Sequence, residues 1–68
     1  MPPTKSVGKR LKNRRKELDM TQDDVADKAD ISVNYYARVE RGEVNPSMDI
    51  FKAILRALKT RSRDILDF

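Results

Sequence analysis

The stretch from Gln22 to Arg41 constrains this chain more than any other, because QDDVADKADISVNYYARVER reads as two short helices meeting at a tight turn. Thr21 and Ser32 stand eleven residues apart. Each precedes a helical pattern and has an N-capping side chain. Val25, Ala26, Ala29, Ile31, Tyr36 and Val39 fall at the spacing that packs two helices together. That packing leaves one face of the second helix free, and the free face carries Val33, Asn34, Ala37, Arg38 and Arg41. A short polar and cationic helix held out from a small basic domain has the form that major-groove reading of DNA requires.

Sixty-eight residues make one domain at most, with a modest core and no disulfide to help it. Cysteine and histidine are absent, which removes thiol nucleophiles, zinc sites of the usual ligand types and histidine general bases. The acids fall on caps and exposed helix faces, with little chain to build a pocket, so neither an enzyme nor a small-molecule site is expected. No cofactor is implied. No apolar run reaches the length of a membrane span or signal core, so the chain is expected to be cytoplasmic and away from membranes.

The formal net charge is +4, but its distribution says more. Through Lys16 there are seven basic residues (Lys5, Lys9, Arg10, Lys12, Arg14, Arg15, Lys16) and no acidic one, while aspartates cluster between Asp19 and Asp30. A basic block beside a helix pair suits phosphate neutralisation, although alone it reads equally well as a solvated face. A membrane-surface helix would want more bulk opposite the charge than Val7, Leu11 and Leu18 supply.

The pattern predicts five short helices and an all-α fold. Met1–Thr4 reads as a flexible start. Helix 1 is expected from Lys5 or Ser6 to Leu18, with Val7, Leu11 and Leu18 on one stripe and Arg14 packing its stem while its head reaches solvent. Helix 2 follows a Thr21-x-x-Asp24 capping box and ends near Ala29. Asp30 then takes a left-handed turn position that glycine fills most easily. Helix 3 runs from Val33 to about Arg41, with Gly42 as its stop. Ser47 caps helix 4, Met48 to about Leu58, whose buried stripe is Met48, Phe51, Ile54, Leu55 and Leu58. Ser62 caps a fifth helix through Asp67.

On helix 3, Tyr36 and Val39 lie within about 60° of each other, and Asn34, Arg38 and Arg41 share the opposite side. Asn pairs bidentately with adenine, Arg with guanine, and Val or Ala touches a thymine methyl. Ser32 can reach a phosphate or base, and Tyr35, on the border, can donate its hydroxyl to a phosphate. Gln22, among the free amides that open helix 2, fits a phosphate clamp. The plainer alternatives are a solvated polar face and an ordinary helix-start glutamine.

The ordered segments VGKRL, TQDDVADKA, ARVERG and VNPS resemble the Cro/CI-type helix-turn-helix family, also called XRE-like or lambda-repressor-like. The likeness runs from Val7 to Leu66. It implies a compact five-helix DNA-binding domain that acts as a homodimer on an inverted-repeat operator in double-stranded DNA, usually as a repressor. By this resemblance Gln22 contacts phosphate or base, Ser32, Val33, Asn34 and Arg38 read bases, and Arg41 and Asn45 hold the DNA backbone. It also implies an ion pair between Arg15 and Glu40 that ties helix 1 to helix 3. Asp30 in place of the turn glycine and Arg14 in place of an apolar residue depart from the family pattern. Ile50, Ile65, Leu66 and Phe68 offer an apolar surface for the dimer; the rival reading is that Ile65 and Leu66 close the core and leave only Phe68 exposed. The alternative is an antitoxin or other interaction module on the same fold, though the long toxin-wrapping tail expected of one is missing.

Overall fold

The computed structural model describes residues 4–60. Over that span it is all-helical, in the order α1 (Thr4–Glu17), α2 (Gln22–Ala29), α3 (Val33–Glu40) and α4 (Met48–Ala57). Four of the expected helices are therefore present, and the fifth lies outside the described residues. Helix α1 begins at Thr4, earlier than the expected Lys5 or Ser6.

Each later helix opens on the cap its sequence advertised. The Thr21 hydroxyl accepts from the Asp24 amide at 3.0 Å, and the Asp24 carboxylate accepts from the Thr21 amide at 2.9 Å. Ser32 accepts from the Tyr35 amide at 3.1 Å and Ser47 from that of Ile50 at 3.3 Å. The helix ends share one device. Asp19, Asp30, Gly42 and Lys59 all take positive φ, between 52° and 76°. In each case the following amide reaches back to the carbonyl five residues earlier: Met20 to Arg15, Ile31 to Ala26, Glu43 to Arg38 and Thr60 to Leu55. Asp30 thus adopts the expected left-handed conformation, φ 59° and ψ 45°, without glycine.

The core gathers Leu11, Val25, Ala26, Ala29, Tyr36, Val39, Phe51, Ile54, Leu55, Ala57 and Leu58. Helix α2 packs on both α3 and α4, and α1 packs on α3. Gly8 is buried where α1 crosses the end of α3. A Cβ there would lie 2.6 Å from the Val39 carbonyl oxygen and 2.8 Å from the Glu40 carbonyl carbon. Only a residue without a side chain lets the two backbones approach this closely.

Two expectations about side chains are corrected. Met48, assigned to the buried stripe of α4, is 63% exposed. It sits at the edge of that stripe and in the first residue of the helix, where the packing has not yet begun. Arg14 does not simply extend its head into solvent. Its Nε donates to the Leu58 carbonyl at 3.0 Å and its Nη2 to that of Lys59 at 3.1 Å, so α1 caps the C-terminus of α4. A leucine at this position could fill the space but could not satisfy those carbonyls. Among the described residues no helix is long and apolar enough to cross a membrane.

Candidate nucleic-acid interface

The pairing of α2 and α3 buries Val25, Ala26, Ala29, Tyr36 and Val39 and turns the rest of α3 outward. Asn34, Arg38 and Arg41 are exposed, and Val33 is 43% exposed, which is high for its type. Ser32 is exposed at the α3 cap, with its oxygen engaged by the Tyr35 amide and its hydroxyl proton left to donate. Asn45 is exposed in the loop after α3. Tyr35 is half-buried against the core, so its ring is anchored. The residues chosen for base reading therefore share one accessible surface.

What aims that surface is a buried polar cluster. Arg15 meets Glu40 in a two-pronged pair, Nε to Oε2 at 2.7 Å and Nη2 to Oε1 at 3.3 Å. Its remaining nitrogen, Nη1, donates to the Met20 carbonyl at 2.9 Å. The Gln22 amide nitrogen donates to Glu40 Oε1 at 3.0 Å. The pair lies almost out of solvent, with side chains 12% and 3% exposed. One guanidinium thus ties α1, the α1–α2 turn and α3 together, and the same carboxylate fixes the Gln22 amide at the start of α2. Burial alone would push the Glu40 carboxyl up. Hydrogen bonds, from Arg15 first, together with the Arg15 charge outweigh burial and hold it below its usual range.

Tyr36 brings its hydroxyl into the same region. The ring is fully buried, and burial raises its pKa well above the ordinary phenol value. The hydroxyl lies beside Glu40 and Arg15, close enough to feel both, but its angles and distances do not make a formed hydrogen bond with either, and the geometry decides how little it contributes. A buried group in that state contributes little, and removing it relieves its desolvation. Tyr36→Phe is accordingly expected to melt at or slightly above the wild-type midpoint in a thermal scan. A drop of more than about 5 °C, near the effect of 1 kcal/mol in a domain this size, would instead mean that the hydroxyl is bonded in solution.

Glu43 is a residue the sequence reading missed. Its carboxylate pairs with Arg41 through Nε and, at 3.4 Å, through Nη2. It also lies 3.5 Å from Arg38 Nε. The signal was available: the left-handed Gly42 turn folds the next residue back beside the last turn of α3, where both arginines point.

The helix-turn-helix family model matches residues 11–66. This chain belongs to the XRE-like helix-turn-helix family. Among its relatives in that family, the immunity repressor protein of Bacillus phage phi105 is 43% identical over 53 residues, which is 78% of this chain and 37% of the repressor. The chain thus spans little more than a third of that relative's length. The control protein C.BamHI of Bacillus amyloliquefaciens is 34% identical over 55 residues, covering 81% of this chain and 68% of that protein. Among solved structures, the restriction-modification controller protein C.AhdI from Aeromonas hydrophila superposes with a TM-score of 0.89 at 25% identity, covering 93% of this chain and 96% of that one. The clp gene regulator ClgR from Corynebacterium glutamicum superposes with a TM-score of 0.92 at 22% identity, covering 98% and 71%, a likeness of fold.

Proposed function

We propose that this chain is a sequence-specific transcriptional regulator that lays α3 in the major groove of duplex DNA. The observation that carries this reading is the exposed face of Asn34, Arg38 and Arg41, held at a fixed angle by the buried Arg15–Glu40–Gln22 cluster. The names of its relatives, an immunity repressor and restriction-modification controllers, point the same way and favour repression or transcriptional control. Val33, Asn34 and Arg38 then read base edges, with Ser32 at the α3 cap. Gln22, Tyr35, Arg41 and Asn45 contact the sugar-phosphate backbone and fix the register.

A homodimer on a near-palindrome fits a reading helix this short, with half-sites about 34 Å apart. Ile50, half-buried at the edge of α4, belongs to the proposed interface, and Met48 adds exposed apolar surface on the same helix. The other proposed contacts, Ile65, Leu66 and Phe68, lie outside the described residues.

The test begins by selecting bound duplexes from a random pool. Affinities for the selected operator are then measured at several salt concentrations, with sedimentation giving the number of chains bound. Two chains per operator are expected. Contacts to roughly six to ten phosphates would weaken binding about 10³- to 10⁵-fold between 50 and 200 mM salt. Arg38→Ala should lose about 1–3 kcal/mol of discrimination at one base pair, while Lys9→Ala should weaken all sequences alike or none. Failure to select any duplex, or a salt-insensitive complex, would sink the proposal.

A further inference from the structure

Building on that reading, we propose that Glu43 sets the specificity of DNA binding by acting as an internal counter-ion for both arginines of the reading face. Two of the exposed cations on this surface share one carboxylate. Arg41 gives it both Nε and Nη2, and Arg38 approaches it through Nε. The carboxylate is not on a wandering loop. Gly42 takes φ 76°, and the Gly42 and Glu43 amides donate to the Val39 and Arg38 carbonyls at 3.1 and 2.9 Å. The backbone of Glu43 is therefore fastened to the last turn of α3 itself.

The geometry makes the effect selective. Because Arg38 meets Glu43 through Nε, both of its terminal nitrogens stay available for a two-pronged contact with a guanine edge. On a cognate site the carboxylate can stay in place and hold the Arg38 guanidinium plane for the base, while Arg41 keeps Nη1, which Glu43 does not engage, for its phosphate. On a non-cognate duplex Arg38 too has only a phosphate to gain. It must leave Glu43 to reach it, and the abandoned carboxylate then faces the same phosphate. Glu43 therefore penalises non-cognate binding and leaves cognate binding intact.

Glu43→Gln tests this against Asp27→Asn, which removes the same charge from an exposed site on α2. The full chain is titrated with the operator duplex selected by the wild type and with a scrambled duplex of equal length and composition. Glu43→Gln is expected to tighten binding to the scrambled duplex by about fivefold, the scale of one exposed ion pair, and to leave operator affinity unchanged or weaker. The specificity ratio then falls by at least that factor. Asp27→Asn should shift both duplexes equally and less. Equal tightening on both duplexes by Glu43→Gln would overturn the proposal, as would no change on the scrambled one. The wild-type titration separates the two readings, since failure of DNA recognition itself appears there as no operator preference before any variant is compared.

Discussion

Gly8→Ala lowers the thermal midpoint by about 10 °C or more, a net loss of roughly 2 kcal/mol in a domain of this size. Local propensity argues the other way. Alanine in place of a helical glycine should gain about 1 kcal/mol. The tertiary contact outweighs that gain, because the new methyl group would press on the Glu40 carbonyl and come within 2.6 Å of the Val39 oxygen. These are backbone atoms in the last turn of α3 and cannot rotate away. Relief requires α1 and α3 to separate, which would also pull Arg15 from Glu40. Asn13→Ala, on the exposed side of α1, serves as the control and should leave the midpoint level or slightly raised. A Gly8→Ala chain that melts at or above wild type would show that the helix crossing is looser than described. DNA affinity should fall with stability, since the same contact sets the angle of α3.

The second large effect is on the buried ion pair. Arg15→Ala leaves Glu40 charged, 3% exposed and without its strongest partner. Stranding a buried charge typically costs about 3–5 kcal/mol. That is a large share of the roughly 3–10 kcal/mol expected for a chain of this length. Lys12→Ala, on the solvent side of α1, should change little.

The pair also makes a prediction about acid. In the wild type the Glu40 carboxyl is held below its ordinary value. Its contribution is therefore present above the unfolded-state pKa and lost as pH falls through the lower folded value. In Arg15→Ala the sign reverses. Burial then dominates and raises the Glu40 pKa above the unfolded value, so protonation favours the folded variant. The difference in midpoint between wild type and Arg15→Ala should consequently shrink as pH drops from 7 toward 4. Thermal scans across that range check it. Equal stability of Arg15→Ala and Lys12→Ala at pH 7, or a gap that widens in acid, would contradict the buried pair.

Much of this protein was determined by local chemistry that a sequence displays. Thr21, Ser32 and Ser47 mark helix starts because each can satisfy an amide that the helix leaves open. The same local rules identified Asp30 as a left-handed turn residue and Gly42 as a stop. Helical periodicity alone sorted Tyr36 and Val39 from Asn34, Arg38 and Arg41, since both faces follow from a fixed rotation per residue. The Arg15–Glu40 pair came from family resemblance, as nothing in its spacing of twenty-five residues announces a contact.

Tertiary structure decided the rest, and always where two distant segments meet. It turned Gly8 from a weak spot in a helix into a required crossing point. It gave Arg14 the open carbonyls of Leu58 and Lys59, forty-four and forty-five residues away. It left Met48 in solvent although the periodicity of α4 had placed it inward, because burial depends on a neighbour being present as well as on facing the right way. Gln22 and Glu40 share a hydrogen bond for the same reason: one buried carboxylate must find enough donors to stay charged, and the packing of α1, α2 and α3 is what brings them within reach.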